Sequence, residues 1–194
     1  MTSNSKRLLT ISLLGAAVCV SATLGQEETN LAVDPGQTKV DFTVHSLVHT
    51  VHGTFVLKRG ALVFNPATGK ASGELVVDAA SGNSGSDARD SRMRKEILEV
   101  QKYPEIRFRP DRIEGAVAPA GASDVKLHGI FSIHGADHEM TVPAQVQANG
   151  GMYAATALFE VPYISWGMKN PSTLFLRVSD TVQITVHTVA RPAN

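Results

Sequence analysis

The chain has 194 residues, with 18 Lys and Arg against 18 Asp and Glu, seven His and a single Cys. Balanced charge without a basic stripe excludes a nucleic-acid binder that works through phosphate contacts. One cysteine excludes a scaffold held by disulfides or by a cluster of cysteine metal ligands.

Lys6 and Arg7 precede a run from Leu8 to Val20 that is apolar apart from Thr10 and Ser12. A positive start, a short apolar core and small residues after it read as a secretory signal over residues 1–22, with cleavage after Ala22 or as late as Gly25. The run is too short to span a bilayer, and no later stretch approaches one, so the chain is not expected to cross a membrane. Cys19 lies inside this run behind Ala16-Ala17-Val18, which lacks the leucine that precedes a lipid-modified cysteine. Its removal leaves a thiol-free mature chain, 23–194, with 16 basic and 18 acidic side chains. Roughly 170 residues suffice for one domain with a sizeable core.

Gln26 to Asn30 is polar and reads as loose. From Thr38 to Ser46, Val40, Phe42 and Val44 alternate with Asp41, Thr43 and His45, the period of a half-buried strand. Val51, Gly53, Phe55 and Leu57 continue the pattern, which resumes on Leu62 and Phe64 with Gly60 as the expected bulge. Asn65 to Lys70 has turn chemistry, and Glu74 to Ala79 is the next strand. After the Ser81–Ser86 loop, Asp87 or Asp90 is placed to cap a helix carrying Met93, Ile97 and Val100, which Tyr103-Pro104 should stop. Strands follow at Ile106 and Phe108, at Val125 to Ile133, and, after a reversal at Gly135-Ala136-Asp137, at Met140 to Val146. Asn149-Gly150 predicts a hairpin into Tyr153 to Val161, and Val178 to Val189 closes the chain. About eight strands in consecutive hairpins with one inserted α-helix predict an all-β, eight-stranded antiparallel barrel, wide enough to be packed solid or to hold one small ligand.

Several segments resemble the YceI-like family of polyisoprenoid-binding, lipocalin-like periplasmic proteins. They are Val33-Asp34-Pro35, Phe42-Thr43-Val44-His45, Val51-His52-Gly53-Thr54-Phe55, Ala88-Arg89-Asp90, Lys102-Tyr103-Pro104-Glu105-Ile106 and the run from Leu127 to Gly135. Ser165 to Ser172 resembles one branch of that family. The resemblance implies an exported, periplasmic or secreted barrel enclosing an elongated tunnel for an isoprenoid-like, quinone-like or other long amphipathic molecule. On that reading Phe42, Val44, Phe55, Leu57, Phe64, Ile106, Phe108, Phe131 and Phe159 line the tunnel. Arg89 would meet a phosphate or carboxylate head or, as the structural alternative, pair with Asp90 or a turn carbonyl; Trp166 would close one end or plug the core, and Lys169 would face the head as well. Association into a homodimer is compatible with it, and neither cofactor nor metal is called for.

Three further constellations belong here. His45, His49 and His52 could share a metal if they met across a hairpin, which would make the barrel a metal-dependent catalyst. His134 and His138 read as solvent-facing neighbours, and Arg92, Arg94 and Lys95 as a solvated helix face. No cysteine nucleophile or serine elbow points to catalysis, so the chain is read as a binding protein rather than an enzyme. A ligand-free envelope stress factor, acting through its surface, is the remaining alternative.

Overall fold

A computed structural model describes residues 28–173 and 176–193. The signal-peptide reading, including Cys19, lies outside the described residues. Nine strands run in chain order: β1 Thr29–Val33, β2 Lys39–His45, β3 Thr50–Phe64, β4 Ala71–Asn83, β5 Glu105–Glu114, β6 Gly121–Ile133, β7 Ala136–Asn149, β8 Met152–Val161 and β9 Val182–Pro192. One short helix, α1 Asp87–Arg92, is inserted between β4 and β5 and continues into a wide π-type turn, Met93–Ile97.

The sheet closes into an eight-stave antiparallel barrel because β3 pairs with β4 on one side and with β2 on the other. β1 and β2 are two halves of one stave. β2 pairs with the first part of β3 and of β9, whereas β1 pairs with their last parts. Between them Asp34 accepts from the Gly36 amide and the Gln37 side chain, and Pro35 fixes the turn. The polar look of Glu28 to Asn30 hid β1, so the reading of this stretch as loose is corrected: Leu31 and Val33 face inward and are buried.

Turns and bulges sit one or two residues from where sequence placed them. The β6–β7 reversal is His134-Gly135, both with positive φ (52° and 77°), as the two-residue hairpin turn requires. The β7–β8 turn is likewise Gly150-Gly151, with Asn149 still paired to Met152. In β3 the extra residue is Lys58 rather than Gly60, since Leu57 faces Val77 and Arg59 faces Val76. That bulge flips the alternation, so Leu57 and then Leu62 and Phe64 all point inward. A second bulge at Asp111 does the same for Ile113 in β5.

The helix also differs from expectation. Its N-cap is Ser86, and it ends before Glu99, whose φ of 47° reverses the chain, so Tyr103-Pro104 plays no part in stopping it. The final strand begins at Val182; Val178 makes only an isolated bridge to Ser46.

Candidate functional site

The barrel is hollow. A cavity of about 730 Å³ runs along its interior, with a wall that is almost wholly apolar. Phe42, Val44, Phe55, Leu57, Phe64, Ile106, Phe108, Phe131 and Phe159 all stand on that wall. Space survives because one side is built from small residues. Ala144, Ala155 and Ala157 face the lumen from β7 and β8, with Ala144 paired to Ala157 and Ala157 in turn to Val186. On β2 and β3, Phe42 and Phe55 are in contact at 5.3 Å between centroids. Gly53 makes that contact feasible, since a Cβ there would lie 2.3 Å from the Phe42 ring.

One end is plugged. At the end formed by the Asn65–Lys70, Gly150-Gly151 and Ala116–Ala120 connections, the lining residues are buried or half-buried, and Leu31, Phe64 and Ala190 pack with Tyr153 and Val117. Phe64 meets Tyr153 edge-on at 6.1 Å. Asn65, itself buried, accepts from the amides of Ala67 and Thr68 and so ties the turn beneath this plug.

The opposite end is half closed and half open. Over β5 to β8, Leu98, Val100, Tyr163 and Met168 pack on Phe131, Ile133 and Val161. The Tyr163 hydroxyl donates to the Ser179 carbonyl at 2.7 Å, and burial pushes its pKa up to about 12. Over β2 to β4, the cavity is lined instead by His49, Ala88 and Arg89, all exposed, together with Ser46, Ser84, Ser86 and Arg92. Pro171, Leu176 and Val178 complete this rim. Exposed wall residues occur only here among the described lining, so this is the mouth.

Arg89 and Asp90 both serve Ser84. Arg89 donates through Nε to the Ser84 hydroxyl (2.7 Å) and through Nη2 to its carbonyl (2.9 Å). Asp90 is buried and accepts from the Ser84 amide and hydroxyl, so it folds the preceding loop onto the helix instead of capping the helix end. The guanidinium is thereby held at the rim. Arg92 also lines the cavity and pairs with Glu96 at 3.6 Å, while Arg94 donates to the Gly82 carbonyl, so these two do not form the solvated face expected of them.

Packing corrects three other sequence expectations and leaves Trp166 over the closed half of this end, off the cavity wall. Its indole stacks flat on His138, with centroids 3.9 Å apart and planes 6° from parallel, and packs on Phe131 over the closed half. Lys169 is engaged by Glu96 at 2.7 Å, and that bond and charge hold the Glu96 carboxyl below its ordinary range. His138 is therefore inward, its Nε2 buried with no hydrogen-bond partner, and His134 binds Glu99 (2.9 Å) while its ring lies against Tyr103. Neither is a free surface group. His45 and His52 bond Thr50 and Thr43 across the β2–β3 ladder while His49 lies at the tip, and no group of three metal-ligating side chains occurs among the described residues.

Sequence reasoning missed Leu31 and Val33, for which their alternation with Asn30 and Ala32 was the available signal. It also missed the rim residues Ser84, Ser86 and Arg92, which lie in segments without periodicity.

The YceI-like domain model matches residues 31–190. No curated protein matches the sequence. Among solved structures, the chain is similar to BcnA of Burkholderia cenocepacia, with a TM-score of 0.66 and 22% identity over 81% of this chain and 98% of that one. It is also similar to a polyisoprenoid binding domain from Saccharophagus degradans implicated in plant cell wall breakdown, at a TM-score of 0.64 and 17% identity over 84% and 98% of the two chains. A YCEI protein of Campylobacter jejuni follows at 0.62 and 16%, over 77% and 90%. At these identities the likeness is one of fold.

Proposed function

This chain belongs to the YceI-like family, and from that membership together with the hollow interior we propose that it binds an elongated amphipathic lipid, such as a polyisoprenoid or quinone-like molecule. The hydrocarbon tail lies along the barrel and the polar head rests at the mouth. The observation that carries the reading is the cavity itself. Its volume of about 730 Å³ is that of a ligand pocket; it opens to solvent at the mouth, and water finds few hydrogen-bond partners on its wall, so a hydrocarbon is the better occupant.

A hydrocarbon tail gains about 0.8 kcal/mol per buried methylene, less the cost of ordering the chain. The similarity to a structure described as a polyisoprenoid binding domain supports the same ligand class. At the rim, Arg89 spends Nε and one Nη2 hydrogen on Ser84 and keeps its Nη1–Nη2 edge, a planar fork, for a phosphate or carboxylate head. The polar groups of the wall are spent on one another, as Arg89 and Asp90 are on Ser84, which favours binding over catalysis. With the apolar run behind Lys6-Arg7 read as an export signal, the protein works as a carrier in the cell envelope. No helix among the described residues is long and apolar enough to cross a membrane.

Mass spectrometry of organic extracts from detergent-free protein tests this. A long-chain lipid recovered at about one per barrel is expected. Repeatedly empty extracts, with no uptake of added polyprenyl compounds, would overturn it.

A further inference from the structure

Two adjacent aliphatic side chains, Leu47 (78% exposed) and Val48 (73%), stand in water at the tip of the β2–β3 hairpin. The other exposed large apolar groups, Val56, Leu158 and Met152, are scattered singly over the barrel and call for no explanation. The tip is held in place. The Ser46 amide and hydroxyl both donate to the His49 carbonyl, at 3.0 and 2.7 Å, and the His49 amide donates back to the Ser46 hydroxyl. The Leu47 amide donates to the Arg177 carbonyl, and Ser46 bridges Val178. The backbone that carries Leu47 and Val48 is thus held, which lowers the ordering cost to be met when they are covered.

Their position matters as much as their exposure. Ser46 and His49, which flank them, line the cavity mouth. The segments that complete this rim, 84–96, 169–173 and 176–180, carry six Lys or Arg side chains against four Asp or Glu, in a chain whose totals balance. Asp90 is buried and Glu96 pairs with Lys169 and Arg92; of the rest, Arg89, Lys95 and Arg177 are exposed at the same end as the apolar tip, along with Asp87 and Asp180, so the rim keeps a small excess of positive charge. An aliphatic wedge beside a rim with a small excess of cations fits the interface of a bilayer that contains anionic lipid, where apolar burial and charge attraction add.

We propose that the β2–β3 tip is a membrane-docking wedge: Leu47 and Val48 enter the acyl layer of an anionic bilayer surface and bring the cavity mouth against it. The inference rests on the carrier reading, because a ligand soluble only in membrane must be taken from one or given to one.

Flotation with phosphatidylglycerol-containing vesicles, against vesicles of phosphatidylcholine alone, is the test. Wild-type protein and a Leu47→Asp/Val48→Asp variant are prepared identically, so that anything outside the tip contributes equally to both. The wild type is expected to float with the anionic vesicles, less so as salt is raised. The double variant should lose about tenfold in partition, with unchanged melting temperature, while a Leu158→Asp/Met152→Asp control partitions like wild type. The proposal is overturned if the double variant floats as well as wild type, or if wild type ignores both vesicles. A dimer that only the tip variant breaks, without vesicle binding, assigns the tip to a second copy and also overturns it. Lipid found in extracts of a protein that ignores vesicles removes the docking wedge and leaves the carrier. Vesicle binding through the tip by a barrel that is always empty does the reverse.

Discussion

At the lower end of the barrel, β3 and β4 and then β7 and β8 turn back through short connections, and the side chains there meet across the lumen. At the upper end the chain spends residues 84–104, 162–173 and 176–181 outside the ladder, and these segments close only half of the opening. The same alternating strands feed both ends, so the sheet does not decide which one opens. Closure at the lower end comes from large residues on short turns, Phe64 and Tyr153 among them. Access at the upper end comes from a helix too short to cover the opening, with Arg89 and Asp90 both tied to Ser84 instead of spreading across it.

The contrast is broken most directly by removing a plug. Phe64→Ala at the lower end is expected to cost about 3 kcal/mol, near the low end for such truncations because one side of the ring already faces the cavity. Leu47→Ala at the mouth should move stability by less than about 0.5 kcal/mol, as for other exposed positions. Equal losses from the two substitutions in denaturant titrations would contradict the division into plug and mouth.

The closed half of the upper end is sharpened by Tyr163→Phe, which leaves the Ser179 carbonyl without its donor. A loss of about 1 kcal/mol is expected, readable in the same titrations. A smaller effect comes from the outer wall where Lys58 bulges from β3. Lys58, Arg107 and Arg59 hydrogen-bond Glu105 and hold its carboxyl down to about 2 from an ordinary 4.5. Because the folded value is the lower one, the stabilisation is present above pH 4.5 and is lost as pH falls from there toward 2. Glu105→Gln should flatten the acid limb of the melting curve over that window and lower the melting temperature at neutral pH by about 2 °C. An unchanged acid limb would show that the network carries no stability.

How much of this could be read from the chain follows from which forces fix each part. Strand alternation is a burial signal with period two, so Phe42, Val44, Phe131 and Phe159 were placed on the inner face without a structure. The switch from Leu57 to Leu62 and Phe64 announced a bulge in β3, but glycine drew it to Gly60, whereas register puts it at Lys58. Val33 with Leu31 escaped because polar neighbours at the start of the chain masked a four-residue alternation. Trp166 and His138 lie 28 residues apart in sequence and meet only because the connection after β8 folds back over the start of β7. The mouth was least legible for the same reason: Arg92, Ser84 and Pro171 come from segments with no period, and their convergence is a matter of tertiary packing.

The account stands on a lumen kept open by small residues on β7 and β8. Ala157 faces it between Ala144 and Val186, so Ala157→Phe would place a ring in the space assigned to the ligand tail. Displacing roughly three to four methylenes at about 0.8 kcal/mol each should weaken polyprenyl uptake about a hundredfold. The barrel should still fold, since the ring enters a void and not a packed core. A titration of delipidated wild type and variant with a fluorescent polyprenyl phosphate measures this directly. Tight uptake by the wild type with loss in a well-folded variant is the predicted result; equal uptake by both would contradict binding inside the barrel.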